Sequence, residues 1–435
     1  MNWRNYVVKL NVKSKVVDFN YPLNNYKTQT SSGTGFFISK KTILTCFHVV
    51  SGAINIIVVF NQTNILNGKI KNILPNDDLA IVELDNEVKD ALILDHEIIK
   101  NIYFGDVFTV GFPLSSTNIK ITKGIISGYQ ESLIQIDAAL NHGNSGGPLV
   151  IFDATNNKYK VIGINVSKLK GDSEKTGFVV PIYRYYILAN KNKIGGEIVV
   201  NKPCLYFDYQ KLTQEKYKQN LFNNKYNLYE KIGVRITSLN TKYYYSKYIN
   251  IDDIILYVNN SPVDYNGNVK FDFYPEKISL DDLGLWFVED DLICFKIFNS
   301  SNFSVIDKSF KLKITNTNLL PYYYLDTKPT YFIENNKLIL SIITEKHLEN
   351  LSLLKINVPQ LVKILERRLY HRDLFTVYLA DINYNKEMTE IIEWPIGEII
   401  CEINDKKFNT FEEFTEITQN VIYKIKTIEN KVFHL

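Results

Sequence analysis

The feature that most constrains the fold of this chain is a series of short apolar runs in its first 185 residues. Runs such as "KTILTCF" (41–47), "LAIVEL" (79–84) and "KYKVIGINV" (158–166) are separated by segments rich in Gly, Asn, Ser and Pro. Short strands at such spacing are typical of an all-β barrel pair or sandwich. The following "IYRYYILANKNK" (182–193) predicts a helix that closes this unit.

Composition excludes several classes of protein. A chain of 435 residues predicts about two to four domains. The net charge of only +3 argues against a nucleic-acid partner, which needs clustered basic residues. No apolar run reaches the ~18 residues of a membrane span, and the first residues lack a secretory signal. We therefore expect no membrane association and an intracellular protein, cytoplasmic or nuclear.

The sequence implies no cofactor. Its four cysteines are scattered without metal-type spacing, and we expect them to be reduced thiols. We find no glycine-rich phosphate loop with a lysine and no cluster of His and Cys ligands. Neither a metal nor a nucleotide is therefore expected.

Two later segments resemble each other. "DDIILYVNNSPV" (252–263) and "GEIICEINDKKF" (397–408) align position for position. Each predicts a strand, a two-residue turn and a returning strand, because Asn and Asp tolerate the positive φ of hairpin turns. Another predicted strand precedes each, at 233–239 and 376–382. The repeat indicates two related domains of ordinary size after the first unit.

The stretch "NHGNSGGPLV" (141–150) places Ser145 among glycines. It matches the nucleophile elbow of α/β-hydrolases, in which a helix follows the serine and the histidine comes last. Here Pro148 and the strand-like "LVIF" follow, and the next histidine is His347. The hydrolase interpretation therefore fails on its context.

A base and an acid precede this serine in another order. His48 lies in "TILTCFHVV", where an apolar strand runs into a short helical turn. Asp78 directly precedes the apolar "LAIVEL", and we expect it to be more buried than its neighbour Asp77, which should face solvent. The order His48, Asp78, Ser145 is the catalytic order found with β-barrels. It predicts a catalytic triad.

These motifs, together with "VGFP", "VIGINV" and "GFVVPI", resemble the protease domain of the HtrA/Deg family, and the repeated hairpins resemble PDZ domains. The likeness points to the two-PDZ Deg proteases of plants and other eukaryotes. It implies a mainly β fold, with a chymotrypsin-like double β-barrel protease domain at 1–193. Two PDZ-like α+β domains would follow at 200–318 and 325–435, the second divergent.

The resemblance also implies an ATP-independent serine endopeptidase that cleaves unfolded or extended polypeptides. It further implies a homo-oligomer, a trimer or a multiple of a trimer. By the same resemblance Ser145 would be the nucleophile, His48 the base and Asp78 the orienting acid. The oxyanion hole is expected at Gly143, Asn144 and Ser145, with the backbone amides of Gly143 and Ser145 as donors.

Further expectations concern activation and specificity. Asn144 stands where digestive relatives carry an acid that pairs with a new N-terminus, so no proteolytic activation is expected. Ala139, six residues before the nucleophile, offers no acid for Lys or Arg. We expect a pocket for small or medium apolar residues, formed by Ala139 and Leu140 at its base. The wall that pairs with substrate is expected from Asn165, Val166 and Ser167.

Some features of the sequence leave alternatives open. His142 is expected to be an exposed loop residue. "PCLYF" (203–207) lacks the usual glycine of a carboxylate-binding loop, so Leu205 and Phe207 could be core residues. The strip 321–332 is either an interface or buried linker packing. The contrasting function is a latent or inactive protease scaffold acting as a chaperone or peptide-binding protein.

Overall fold

The structure is a computed structural model. It describes residues 2–16, 27–89, 95–96, 105–167, 176–195, 198–203, 205, 207–212, 233–239, 244–314, 330–333, 338–342, 377–382, 398–408 and 411–434. The chain divides into two compact units. One contains residues 1–14 and 30–315, and the other contains residues 15–29 and 316–435.

Six strands form the first barrel. They are β1 (Val7–Val16), β2 (Lys27–Phe37), β3 (Thr42–Cys46), β4 (Ala53–Phe60), β5 (Asn64–Leu74) and β6 (Leu79–Leu84). They close in the order β1–β2–β3–β6–β5–β4. In the second half of β4, the buried Ile56, Val58 and Phe60 alternate with less buried residues. One face of the pleated strand therefore fills the barrel. The helix α1 (Phe47–Val50) follows β3 directly.

The next group of strands forms a second barrel. They are β7 (Asp95–His96), β8 (Asp106–Gly111), β9 (Lys120–Gln130), β10 (Leu133–Ile136), β11 (Pro148–Asp153), β12 (Lys158–Ser167) and β13 (Gly177–Pro181). Six of them run in the order β11–β8–β9–β10–β13–β12, and the pairing of β11 with β12 closes the ring. β7 joins β12 in parallel. The helix α2 (Tyr183–Asn190) follows. The predicted double β-barrel is confirmed.

A smaller arrangement, which is mainly β in its described residues, completes the first unit. Its strands are β14 (Phe207–Lys211), β15 (Val234–Leu239), β16 (Ile254–Val258), β17 (Ser261–Pro262), β18 (Asn268–Lys270), β19 (Lys277–Ser279), β20 (Leu292–Asn299) and β21 (Ser304–Lys311). The main sheet runs β14–β15–β16–β20–β21, with β17 on β16. Leu205 and Phe207 are buried in its core, so they are core residues and not the rim of a carboxylate-binding loop.

The second unit contains another sheet. Its strands are β22 (Thr330–Ile333), β23 (Leu338–Ile342), β24 (Val377–Ile382), β25 (Ile399–Ile403), β26 (Lys406–Lys407), β27 (Lys424–Thr427) and β28 (Val432–His434), accompanied by the helix α3 (Phe411–Thr418). The sheet order is β22–β23–β24–β25–β27–β28, with β26 on β25. Most of the aromatic strip 321–332 lies outside the described residues.

The two repeated hairpins form as predicted. Asn259 and Asn260 join β16 to β17 with φ of 47° and 66°, and Asn404 and Asp405 join β25 to β26 with φ of 50° and 61°. Both central residues of each turn are left-handed, which matches the right-handed twist of the flanking strands. This conformation explains why Asn and Asp occupy these positions.

Among the described residues, no helix has the length and apolar character needed to cross a membrane. The intracellular location stays a prediction.

Candidate active site

Strand pairing brings His48 and Asp78 together. Cys46 at the end of β3 faces Leu79 at the start of β6. The next residues outward therefore meet as well, and the Phe47 amide donates to the Asp78 carbonyl at 2.9 Å. One residue further, His48 Nδ1 lies 2.6 Å from Asp78 Oδ2. The antiparallel register of the first barrel thus builds the predicted base–acid pair.

The backbone at Asp78 aims its carboxylate. The 3₁₀ turn Pro75–Asp77 ends at Asp78, which is left-handed with φ of 52°. Aspartate is one of the residues that tolerate this conformation. The backbone amide of His48 donates to Asp78 Oδ1 at 2.9 Å. The carboxylate thus accepts from the backbone and faces the ring of the same histidine, and two contacts fix its orientation.

Ser145 lies in the loop before β11 of the second barrel. Gly146 donates its amide to the Asn165 carbonyl at 2.8 Å, and Asn165 donates to the Gly147 carbonyl at 2.9 Å. These bonds tie the turn to β12. Ser145 Oγ donates to the Val166 carbonyl at 2.5 Å. Among the described residues no hydrogen bond joins Ser145 Oγ to His48, so attack requires the hydroxyl to leave Val166 and turn toward the base.

Thr34, a residue the sequence interpretation missed, connects the two barrels beneath this loop. It lies on β2 of the first barrel and is fully buried. Its Oγ1 donates to the Gly143 carbonyl at 2.6 Å and accepts the Phe112 amide at 3.0 Å. Its own amide donates to the Ser145 carbonyl at 2.9 Å. A small polar residue between Gly33 and Gly35 was the available signal.

The backbone of the serine loop leaves two amides available. Gly143 has φ of +97°, and a Cβ there would lie 2.3 Å from the Phe112 carbonyl oxygen. Among the described residues, the amides of Gly143 and Ser145 donate to no protein acceptor. The amide of Asn144 instead donates to the Asn141 carbonyl at 3.0 Å. Of the three residues predicted for the oxyanion hole, Asn144 therefore offers no free amide in this conformation.

The predicted specificity residues lie in different environments. Asn165 is fully buried and binds the serine turn to β12, and its place in the wall that pairs with substrate stays a prediction. Val166 is half-buried, and Ser167 ends β12 opposite Phe178. Ala139 is exposed, whereas Leu140 is buried in the second barrel's core.

His142 is exposed, as predicted. Its carbonyl accepts the amide of Leu114 at 2.6 Å. Because the carbonyl and the amide of one trans peptide point in opposite directions, this bond turns the Gly143 amide away from Leu114. The loop at 113–116 thereby fixes the orientation of the peptide that carries one available amide.

Cys46 lies beside the His48–Asp78 pair. Its sulfur, the imidazole and the carboxylate offer ligand atoms within 4.8 Å of one another. Burial and the nearby Asp78 charge raise the pKa of Cys46 well above its usual range. The neutral thiol donates to the Asn165 carbonyl at 3.2 Å. The sulfur is thus bonded to the backbone of β12 while the imidazole contacts the carboxylate.

The expectation that Asp77 faces solvent is wrong. Asp77 is the more buried of the two neighbouring aspartates. Its Oδ2 lies 2.9 Å from Lys202 Nζ, and its Oδ1 lies 3.5 Å from Arg184 Nη1. The 3₁₀ turn points Asp77 inward to these cations and Asp78 outward to His48. Both cations are distant in sequence, Arg184 by 107 residues, so no local pattern distinguished the two acids.

Comparison with known proteins is consistent with this geometry. The family model of the trypsin-like peptidase domain matches residues 33–164. Putative protease Do-like 13 of Arabidopsis thaliana is 28% identical and aligns over 76% of this chain and 67% of its own length. Residues 33–164 thus match a trypsin-like peptidase domain, and the chain is similar to Do-like proteases.

Other HtrA/Deg relatives match shorter parts. Putative protease Do-like 3, mitochondrial, of Arabidopsis thaliana is 29% identical over 55% of this chain and 43% of its own length. Putative serine protease HhoA of Synechocystis is 31% identical over 43% and 49%. The chain thus spans about half the length of several curated relatives that it matches.

A solved structure of the HtrA-type protease AlgW with tripeptide shares the fold. It is 21% identical, with a TM-score of 0.53, and the match covers 72% of this chain and 94% of that one. At this identity the likeness supports the fold alone. It agrees with the double-barrel fold of the first unit, and the PDZ-like assignment of the following sheet stays a prediction.

Proposed function

We propose that this chain is an ATP-independent serine endopeptidase that cleaves unfolded or extended polypeptides. The observation that carries the proposal is the His48–Asp78 pair, with Nδ1 2.6 Å from the carboxylate. Contact of Nδ1 with Asp78 leaves Nε2 as the basic nitrogen. The pair lies on one barrel and Ser145 on the other, and Thr34 connects the two.

The chemistry follows from these positions. Ser145 Oγ attacks the peptide carbonyl carbon as Nε2 of His48 takes the hydroxyl proton, and the tetrahedral intermediate forms. The imidazolium then gives this proton to the leaving amine, and the C–N bond breaks to leave an acyl-enzyme. Water repeats the sequence and releases the acid. Asp78 stabilises the imidazolium throughout.

The negative charge of the intermediate needs aimed donors. The amides of Gly143 and Ser145 are free of protein acceptors among the described residues, and we assign them to the oxyanion. One such donor is worth about 3–4 kcal/mol in the transition state. The positive φ of Gly143 and its contact with the Phe112 carbonyl explain why no side chain is accommodated there.

The specificity of this site is proposed to be for small or medium apolar residues. Ala139 contributes a methyl group and no charge, and its carbonyl accepts Thr122 Oγ1 at 3.0 Å. Leu140 is buried over Gly177, which adds apolar surface. Val166 and Ser167, at the end of β12, would pair with substrate as an added strand. A peptide library should show cleavage after Val, Ala, Ile or Leu; cleavage confined to Arg and Lys would exclude this specificity.

One experiment tests the activity itself. The wild type should label with a fluorophosphonate probe and cleave unfolded casein, and Ser145→Ala should lose both. Ser127→Ala, which changes an exposed serine on β9, is the matched control and should behave as wild type. If the wild type neither labels nor cleaves with unfolded substrate present, the chain is a scaffold and not an enzyme.

We also propose that the chain forms a homotrimer or a multiple of one. The support is the resemblance of the sequence motifs to HtrA/Deg proteases. Light scattering after gel filtration should give the mass of three chains or a multiple of three. A monomer at every concentration would contradict this assembly.

A further inference from the structure

Three charged side chains form a buried cluster behind the candidate active site. We call Asp77, Arg184 and Lys202 the junction cluster. Lys202 Nζ lies 2.9 Å from Asp77 Oδ2, and Arg184 Nη1 lies 3.5 Å from Asp77 Oδ1. All three side chains are excluded from solvent. Buried ions are costly unless they are paired, so a cluster kept at this position requires a specific reason.

The junction cluster joins the double-barrel domain to the first PDZ-like domain. Lys202 Nζ donates to the Leu285 carbonyl at 2.5 Å and to the Arg184 carbonyl at 3.3 Å. The Arg184 guanidinium lies 5.3 Å from the centre of the Trp286 ring, within cation–π range. Leu285 and Trp286 belong to the 3₁₀ helix Leu280–Trp286 of the PDZ-like domain. One lysine therefore contacts both domains.

A second set of contacts supports the same connection. Arg184 Nη2 donates to the Ser132 carbonyl at 2.6 Å. Ser132 Oγ accepts the indole N–H of Trp286 at 3.2 Å and donates to Asp282 at 2.8 Å. Ser132 lies in the tight turn between β9 and β10 of the second barrel. The cluster therefore contacts both barrels and the PDZ-like domain.

The junction cluster also contacts the turn that carries the catalytic acid. Asp77 is the last residue of the turn Pro75–Asp77, and Asp78 follows it. The amide of Lys202 donates to Asn76 Oδ1 at 3.0 Å, so Lys202 binds two consecutive side chains of this turn. Just before the turn, Ile73 donates to the Ile198 carbonyl at 2.8 Å and accepts the Val200 amide at 2.9 Å.

These contacts imply a mechanical consequence. Asp78 has a left-handed φ of 52°, which aspartate tolerates, so the contacts on either side of the turn decide where its carboxylate points. On one side of the turn His48 contacts Asp78, and on the other side Lys202 contacts Asn76 and Asp77. If the contacts with Lys202 are lost, only His48 still holds the Asp78 carboxylate in place.

We propose that Lys202 and Asp77 are positioning residues for the catalytic acid, and that docking of the first PDZ-like domain completes the alignment of Asp78 with His48. The inference rests on the proposed protease function. Lys202 is bonded to both domains at once, so displacement of the Leu280–Trp286 helix frees the lysine, loosens the turn and lowers the rate of the chemical step.

The test compares Lys202→Met with Lys191→Met in the full-length chain. Lys191 forms an ion pair with Asp291 across the same two domains, but none of its described contacts reaches the Asp78 turn. Rates are measured on a short peptide p-nitroanilide with Val at P1, with active sites counted by fluorophosphonate. Lys202→Met should lower kcat about 10- to 100-fold, as sub-ångström misalignment does. KM should stay within about twofold, and Lys191→Met should match wild type.

A triple variant separates positioning from stability. Asp77→Asn combined with Lys202→Met and Arg184→Met removes all three charges of the junction cluster, so no buried charge is left unpaired and the melting temperature should recover toward wild type. Because the lysine link to the turn is still absent, kcat should remain low. Recovery of kcat in parallel with the melting temperature would show that the cluster serves stability alone and would overturn the proposal.

Three further outcomes also test the proposal. Should Lys202→Met fail to fold, Ser132→Ala removes only the hydroxyl between Trp286 and Asp282, and kcat must fall severalfold at unchanged KM. A wild type that labels, with Lys202→Met equal to it in kcat, overturns the positioning role alone. A wild type that never labels overturns the protease function, and this inference with it.

Discussion

The cleft pair, His48 with Asp78, and the junction cluster use the same kind of contact in opposite environments. The side chains of the cleft pair are 44% and 30% exposed. Those of Arg184, Asp77 and Lys202 are 3%, 0% and 1% exposed. A base must exchange protons with substrate and therefore needs access, whereas an anchor needs fixed partners. On one turn, Asp78 pairs with the exposed base and Asp77 pairs with the buried cations. We therefore expect substitution of Asp78 to affect mainly catalysis, and substitution of Asp77 to cost much more stability.

The largest expected effect is that of Asp78→Asn on catalysis. The amide can donate to Nδ1, which favours the tautomer that leaves Nε2 protonated and unable to act as the base. We expect kcat to fall about 10⁴-fold, with the fold retained. The measurement is kcat on a chromogenic peptide, normalised to folded protein. Asp78→Asn that keeps a tenth of wild-type kcat would remove Asp78 from the triad.

Asp77→Asn should combine the smaller loss of kcat expected of a positioning residue with a large loss of stability. The substitution leaves Lys202 and Arg184 buried without their counter-charge, and breaking a buried pair in this way costs about 3–5 kcal/mol. Urea unfolding of wild type, Asp77→Asn and Asp78→Asn should show the large loss only in Asp77→Asn. Equal losses in the two variants would mean that burial does not separate the neighbouring acids.

The sequence predicted what depends on local pattern and failed where distant residues decide. Short apolar runs located β3, β6 and β12, and the Asn-containing turns located both hairpins, because each is set by its own residues. The order His48, Asp78, Ser145 predicted the grouping of base and acid, since β3 and β6 pair beside them. The burial of Asp77 depends on Arg184 and Lys202, which no local pattern links to it.

The same reasoning applies to Asn165 and Thr34. The sequence predicts that the strand of Asn165 forms a wall of the substrate site, yet the side chain of Asn165 is buried beside the serine turn. Thr34 appears as an ordinary strand residue, and only closure of the first barrel brings it to Gly143 and Ser145. Contacts between the barrels therefore set the details of the site that the motifs alone leave open.

The pH dependence of stability should show the cost of burying Lys202. Its desolvation, partly offset by Asp77 and increased by Arg184, lowers the pKa of Lys202 to about 8. An unfolded chain keeps the ordinary value near 10.4. Between these values the unfolded state holds a proton that the folded state has released, so the free energy of unfolding rises with pH. The gain is about 3 kcal/mol over the whole interval.

The measurement is the difference between wild type and Lys202→Met in urea unfolding at pH 7.5, 8.5 and 9.5. Other titrating groups are common to both proteins and cancel in the difference. Wild type should gain on the variant as pH rises. A difference that stays constant would mean that Lys202 keeps its proton in the folded state throughout.

The smallest effect is expected at the edge of the domain junction, where Lys191 pairs with Asp291. The side chain of Lys191 is 48% exposed and that of Asp291 is 20% exposed. Water solvates the lysine in both states, so Lys191→Met should cost less than about 1 kcal/mol. Salt at 0.5 M should shrink that cost further, because exposed pairs are screened, whereas the cost of Asp77→Asn should persist. Lys191→Met could instead prove as destabilising as Asp77→Asn and equally insensitive to salt. In that case contacts over the whole junction, and not the buried cluster in particular, would hold the PDZ-like domain to the barrels.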